Sequence, residues 1–324
     1  MKLDELGIFE WGALAGAMAA AARTGLMAEL VSAEAPLAAA TLAERAGCHA
    51  EAAERVLQLL ACTGLLVASE ASTWRLSTSA RDAFAHVPGG LAAFVALYAH
   101  TPRFLSDGTR WSRLDGDARE RAAVYADAVD GLAALFARAA HRLAAALPPA
   151  RGAILDVGAG SGVWSLAMAE QDAGLCITAL DFEAVLPRFY ARAVRLGLAG
   201  RVDAMAGDYH ELALPHGSYA RVVLANVLHL ETEADAAALV AHAAAALAPG
   251  GRLVIADVWD GDTARQRLAQ AAYALHLAMR SAVGRPHPRE RLLAWVAAAG
   301  LEVEGEIDLH AASPSMSALW SSPR

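Results

Sequence analysis

Cysteine is scarce in this chain. Only Cys48, Cys62 and Cys176 occur among 324 residues, an odd number at wide spacing. That pattern excludes a disulfide framework and a zinc-ligand signature, and it suits a reducing cytosol. Charge is scarce as well. Charged residues make up 19% against 56% hydrophobic, too apolar for a disordered chain. The charge that is present has no positive excess. A formal net charge of −8 disfavours a nucleic-acid backbone or an anionic membrane as main partner, since both repel it. Long apolar runs are missing too, and no stretch of about 18 apolar residues could span a bilayer. The apolar start "WGALAGAMAAAARTGL" follows Asp4, Glu5 and Glu10, where a secretory signal would be basic, and Arg23 interrupts it. The expectation is a cytoplasmic protein. There is no repeat of fixed period, and the alanine-rich stretches read as helix filling.

What is present divides into three spans. Residues 1–90 read as helices followed by a hairpin. "TLAERAG" (41–47) is a short helix with Thr41 as N-cap and Gly47 as stop. "HAEAAERVLQLLACTGLL" (49–66) sets Ala53, Val56, Leu57 and Leu60 on one stripe, and "LLVASEASTWRLST" (65–78) reads as two strands about a polar turn. Helix, helix and wing predict a winged helix-turn-helix. It serves either DNA binding or dimerisation, and the second helix carries Glu51 and Glu54 against Arg55, which opposes DNA. Residues 91–150 form a helical connector and pocket segment, dominated by a long helix over 119–147 that Pro148 and Pro149 end. From 151 to 324, strands at 153–157, 176–180, 202–205, 220–225 and 252–256 alternate with helices, and 301–309 and 316–320 add two more strands. That order predicts an α/β fold with a Rossmann-like, doubly wound, mostly parallel sheet.

The most specific segment is "AILDVGAGSGVWSLAMAE" (153–170). A strand ends near Asp156, and Gly158, Gly160 and Gly162 then turn the chain into a helix. Glycine permits a tight turn and a close backbone approach to a ligand. The dinucleotide pattern would need a glycine at 163, where Val163 stands. Two further acids fall at strand ends. Asp181 closes "CITALD", where a carboxylate can accept both ribose hydroxyls, and Asp208 stands in "AGDYH" with Tyr209 beside it. Any one acid could be a helix cap or a solvated turn; three at successive strand ends beside a glycine turn argue for a nucleoside-bearing cofactor.

This combination resembles the class I S-adenosylmethionine-dependent methyltransferases. With the N-terminal winged helix, nearly the whole chain resembles the small-molecule O-methyltransferases of plant caffeate and bacterial antibiotic-pathway type. The resemblance implies S-adenosyl-L-methionine as cofactor, a small-molecule acceptor, and a homodimer joined through the N-terminal domains, with no nucleic acid and no membrane. It implies that Asp156, Gly158, Gly160 and Gly162 shape the cofactor turn, and that Asp181 holds the ribose. Asp208 and Tyr209 would flank the adenine, and Asn226 would join the cofactor set. No metal is implied, and the spacing of His229, His276 and His287 matches no metal signature.

"NVLHLE" (226–231) carries the chemistry. By its residues alone, His229 is either a histidine that closes a strand or a catalytic base. In the family this segment usually ends "LHDW", and the histidine takes the proton from the acceptor hydroxyl. An imidazole suits that task near neutral pH. Here Leu230 and Glu231 replace the aspartate and tryptophan. Asp257, at the end of "LVIAD", stands where the family orients the histidine with an acid, usually a glutamate. A second orienting glutamate is missing, because "GRPHPRE" puts Pro286 there, with His287 beside it. His287 either starts a helix or lines the acceptor pocket. Tyr125, Val129, His276 and Met279 are further pocket candidates by position alone, with Tyr98 and His100 from the middle segment; the other reading of each is ordinary core or surface.

The leading expectation is methyl transfer to a secondary-metabolite or amino-acid-derived hydroxyl. The altered "HLE" and "RPHP" segments motivate an alternative, use of the same cofactor without methyl transfer. That could be a cyclase releasing methylthioadenosine, a pericyclase or a hydroxylase. A cofactor-sensing winged-helix regulator is the third reading, opposed by the acidic balance.

Overall fold

The computed structural model describes residues 7–69, 73–78, 80–81, 97–112, 114–261, 263–309 and 316–324. The chain falls into two compact units, Met1–Gly108 and Thr109–Arg324.

The first unit holds α1 (Ile8–Arg23), α2 (Leu26–Ser32), β1 (Leu37–Ala38), α3 (Ala39–Arg45), α4 (Ala50–Ala61), β2 (Leu66–Ala68), β3 (Thr73–Leu76) and α5 (Thr101–Asp107). The hairpin forms as the alternation suggests: β2 pairs antiparallel with β3, and β1 adds to the other edge, giving the order β1-β3-β2. The polar turn at 70–72 lies outside the described residues. The helices bury Leu30, Leu42, Leu57 and Leu60 against Trp74 and Leu76 of β3. Fully burying each such side chain is worth roughly 1.5–3 kcal/mol. One local expectation fails. Ala38, not Thr41, is the residue before α3, and it makes no side-chain cap bond. Strand β1 runs straight into the helix there, so the start is set by pairing with β3 rather than by a hydroxyl.

The second unit is the Rossmann-like domain. It holds α6 (Ala118–Ala146), β4 (Gly152–Val157), α7 (Val163–Gln171), β5 (Leu175–Asp181), α8 (Leu186–Arg195), β6 (Val202–Ala206), β7 (Tyr219–Ala225), α9 (Glu233–Ala245), β8 (Leu247–Asp257), α10 (Ala264–Ala278), α11 (Arg289–Ala298), β9 (Leu301–Asp308) and β10 (Ser317–Pro323). Its seven strands run in the order β6-β5-β4-β7-β8-β10-β9. The first five are parallel to one another, and β10 is antiparallel to both β8 and β9. Helices cover both faces, so the central strands read as apolar runs such as "VVLA" in β7. One core collects Ile154, Ile177, Val223 and Val254 under α6 and α7; the other collects Leu155, Val222, Leu224 and Ile255 under α9 and α11. Helix α6 begins with a capping box in which the Asp117 side chain accepts from Glu120 N, and it ends before Pro148. No single helix among the described residues is long and apolar enough to cross a membrane.

Strand order reverses direction between β4 and β7. A crevice therefore opens at their carboxyl ends, the usual ligand position in such sheets. The carboxyl ends of β4 to β8 bring Gly158, Asp181, Asp208, Asn226 and Asp257 to that edge, while Tyr125 and Val129 come from α6 and His276 from α10.

Candidate functional site

A cavity of about 410 Å³ opens beside this switch point. The turn after β4 forms one wall. Gly158 and Gly162 both hold left-handed φ, at +67° and +71°. A Cβ at Gly158 would lie 2.9 Å from Val227 Cγ2, and one at Gly162 would lie 2.5 Å from Phe189 Cδ2. Side chains are excluded at both positions for conformation and for space. Gly158 and Gly160 line the cavity, whereas Gly162 starts α7 and packs inward.

The acids at the strand ends separate into two kinds. Asp181 lines the cavity and holds the turn, its carboxylate accepting from Gly160 N and Phe182 N, each at 2.7 Å. Burial pushes its pKa up to about 6. Asp156 is fully buried and accepts from Ser165 Oγ, so it ties β4 to α7 from behind the turn. Burial raises it to about 7. Asp208 forms an ion pair with Arg121 of α6, and the Arg121 guanidinium lies 5.2 Å from the Phe182 ring centre. Tyr209 lines the cavity and donates to Glu231 Oε1 at 2.6 Å, and His210 Nε2 lies 3.2 Å from the same oxygen. Asn226, just after β7, has φ +58°, a conformation asparagine tolerates better than most residues. It lines the cavity, and its Oδ1 is buried without a partner.

His229 sits on a short 3₁₀ turn, Leu228–Leu230, and is 4% exposed. Its Nδ1 donates to Asp257 Oδ1 at 2.6 Å, and its backbone N–H donates to Asp257 Oδ2 at 3.1 Å. Asp257 also accepts from Val258 N at 2.7 Å. This fixes the ring tautomer: with Nδ1 carrying the hydrogen, Nε2 presents a lone pair. That lone pair accepts from the Tyr273 hydroxyl of α10 at 3.0 Å. The two rings meet edge to face, 5.2 Å apart.

The "GRPHPRE" segment buttresses the turn from below. His287 Nε2 donates to Leu228 O at 2.9 Å, and Arg285 N donates to His229 O at 2.8 Å. His287 is buried edge-on against Trp295 of α11, away from the cavity lining. Of the other expected pocket residues, Tyr125 and Val129 of α6 line the cavity, and the Tyr125 hydroxyl is buried without a partner. His276 stacks on Tyr273 and accepts from Arg280 Nη1 at 3.2 Å, while Met279 is fully buried; neither is among the lining residues. Burial and the Arg280 charge lower the His276 pKa to about 4, so it is neutral near pH 7. Tyr98 and His100 lie in the first unit. Among the described residues no three His, Cys, Asp or Glu side chains gather as a metal site would need.

Sequence reasoning missed several groups. Glu231 faces the cavity as a buried carboxylate, and Arg121, Phe136 and Trp164 complete its walls. Tyr273 was missed because only the fold brings α10 over the turn; its sole signal is a lone tyrosine three residues before His276.

A family model described as "Methyltransferase domain" matches residues 154–251, the part of the chain that builds this cavity's glycine turn and strand ends. The chain is 26% identical over 286 residues to the tetracenomycin polyketide synthesis 8-O-methyl transferase TcmO of Streptomyces glaucescens, covering 82% of this chain and 81% of that protein. It is 31% identical over 105 residues to the 3-hydroxy-5-methyl-1-naphthoate 3-O-methyltransferase of Streptomyces sahachiroi, covering 32% of this chain and 30% of the other. Among solved structures it is similar to CalO1, a methyltransferase in calicheamicin biosynthesis in its SAH-bound form. That match has a TM-score of 0.70 and 25% identity, and covers 96% of this chain and 94% of that one.

Proposed function

We propose, from the premise that this chain is a class I S-adenosylmethionine-dependent O-methyltransferase of the antibiotic-pathway type acting on small molecules, that its acceptor is a phenolic or other hydroxyl of a secondary metabolite or amino-acid derivative and that His229 is the general base. The single observation that carries the base assignment is the 2.6 Å bond from His229 Nδ1 to Asp257, which leaves Nε2 as proton acceptor. A carboxylate behind the ring also stabilises the imidazolium that forms.

The residues present fit the cofactor. The side-chain-free turn at Gly158 and Gly160 leaves room against the backbone, and Asn226 Oδ1 is a buried acceptor still without a donor. Asp181 would take the ribose hydroxyls, Asp208 and Tyr209 would flank the adenine, and Gly158 and Gly160 would face the amino-acid end. Bound there, S-adenosylmethionine supplies an electrophilic methyl carbon. The chain's own work is to position the acceptor, exclude water with Phe136, Trp164, Val129 and Leu230, and hold its proton. The naphthoate enzyme acts, by its name, on a hydroxyl of an aromatic ring, and this supports an aromatic acceptor.

The test is a product assay with cofactor alone and then with phenolic acceptors. We expect S-adenosylhomocysteine only when an acceptor is present. Methylthioadenosine without an acceptor would overturn methyl transfer in favour of cofactor cyclisation. His229→Ala should slow the reaction by about 10²- to 10⁴-fold, the usual contribution of a positioned base.

The first unit is proposed as a winged-helix homodimerisation module, residues 1–90, followed by a connector over 91–150 and the cofactor domain over 151–324. Ile8 and Phe9 of α1 are almost fully exposed, which supports a partner there. A monomeric mass by light scattering would remove this proposal. The free thiols at Cys48, Cys62 and Cys176 support a reducing, cytoplasmic location.

A further inference from the structure

His229 has a complication that its pairing with Asp257 does not explain. A neutral imidazole offers one in-plane lone pair. Asp257 has claimed the Nδ1 hydrogen, and the Tyr273 hydroxyl has claimed the Nε2 lone pair. An acceptor hydroxyl therefore has no free lone pair on His229 to reach. Either Tyr273 leaves, or the proton passes through it.

Departure is disfavoured by what holds the phenol. Its ring packs edge to face on His229 and parallel to His276, at 5.6 Å and 10°. Moving it would strip two ring contacts and leave a buried hydroxyl without its bond. Passage needs no movement. A phenol oxygen that donates one hydrogen still has lone pairs with which to accept another. Tyr273 also has a neighbour on the cavity wall. Tyr273 and His229 are themselves not among the lining residues; Tyr125, which lines the cavity, is near enough to help raise the Tyr273 pKa, and its hydroxyl is buried with no partner of its own. Burial pushes the Tyr273 pKa well up, so the phenol stays protonated and can only hand its hydrogen on as it receives one.

We infer that Tyr273 is a further catalytic residue, a proton relay between the acceptor hydroxyl, held at the Tyr125 side of the cavity, and His229. The acceptor O–H bond breaks and a new O–H bond forms on Tyr273. In the same event the original Tyr273 O–H bond breaks and an N–H bond forms on Nε2. Tyr273 ends as it began. His229 becomes imidazolium against the Asp257 carboxylate, and the acceptor oxygen keeps the electron pair with which it would take the methyl group, the methyl's bond to sulfur breaking and its pair staying on the sulfur of S-adenosylhomocysteine. This inference rests on the reading of His229 as base.

The experiment measures kcat for wild type, Tyr273→Phe, His229→Ala and the double variant with a turned-over phenolic acceptor. It adds rates in mixtures of H₂O and D₂O. It also records the His229 Nε2 resonance in free ¹⁵N-histidine-labelled protein. We expect Tyr273→Phe to lose at least tenfold in kcat, with cofactor affinity unchanged. The double variant should be no slower than His229→Ala, because both residues serve one path. Wild-type rates should bow below a straight line in D₂O fraction, as two moving protons require, and Tyr273→Phe rates should become linear. The Nε2 resonance should shift when the phenol hydroxyl is removed. A Tyr273→Phe enzyme at wild-type rate, or a linear wild-type dependence, overturns the relay while leaving His229 as base. A His229→Ala enzyme at full rate overturns the base reading and the relay with it.

Discussion

Asp257→Asn is the most informative single substitution in the site. The carboxylate accepts three hydrogens: Oδ1 takes those of His229 Nδ1 and Val258 N, and Oδ2 takes that of His229 N. An asparagine has only one oxygen for these three donors. With its oxygen at the Oδ1 position, the amide NH₂ meets the His229 N–H, donor against donor. Flipped, the NH₂ faces Nδ1, which forces the hydrogen onto Nε2 and removes the base. Either arrangement forfeits at least one hydrogen bond to a charged group, worth about 1.5–3 kcal/mol. At about 1.36 kcal/mol per factor of ten, kcat should fall by about 10- to 150-fold. The side-chain volume hardly changes, and Asp257 is off the cavity lining, so cofactor affinity should stay within about twofold. The assay is acceptor-dependent S-adenosylhomocysteine release under saturating cofactor, with cofactor binding titrated separately. A loss below about threefold, or a loss that resides entirely in cofactor affinity, would refute the orienting role.

Three further outcomes are expected. Cofactor affinity should weaken as pH falls through about 6, because protonated Asp181 offers ribose hydroxyls one acceptor fewer; binding titrations at pH 5 and 8 check this, and Asp181→Asn should bind weakly at both. Asp156 has its pKa raised from 3.8 to about 7, so the folded state takes up protons that the unfolded state releases, and its stabilising contribution is present below about 4 and fades as pH rises to about 7. Urea titrations should therefore show Asp156→Asn gaining on wild type between pH 5 and pH 8, and an unchanged difference would contradict it. Gly162→Ala combines a left-handed φ with a Cβ 2.5 Å from Phe189, and should cost about 1–3 kcal/mol of stability, read as a lower thermal midpoint.

The parts of this protein that are local in sequence are legible in the sequence alone. A strand, three spaced glycines and a helix make a turn whose conformation depends on neighbours only, and all three glycines hold positive φ. The five parallel strands are readable because each is a short apolar run closed by an acid, asparagine or glycine, and the carboxyl ends of parallel strands must share one edge of the sheet. The 28-residue separation of His229 and Asp257 spans consecutive parallel strands, so even that contact follows from strand order. Thr41 does not cap α3 because β1 enters that helix directly, and such pairing lies in strand contacts rather than in helix propensity.

Tertiary packing decided the rest. Asp156 and Asp181 look alike as acids beside the turn and even share a face of the sheet, since Asp156 is in register with Ala179, two residues before Asp181; yet Asp181, at the very end of β5, faces the cavity, while Asp156, further back along its strand, is sealed under α7 by Ser165. His287 and His276 look like pocket histidines, but the first holds a backbone carbonyl under the 3₁₀ turn and the second stacks behind Tyr273. Tyr273 itself, 44 residues from His229, reaches Nε2 only because α10 folds over the end of the sheet. The cofactor could be read from the chain because the residues proposed to hold it are one turn and the strand ends beside it. The proposed route of the proton could not, because Tyr273, His229 and Asp257 approach one another only when separate elements pack together.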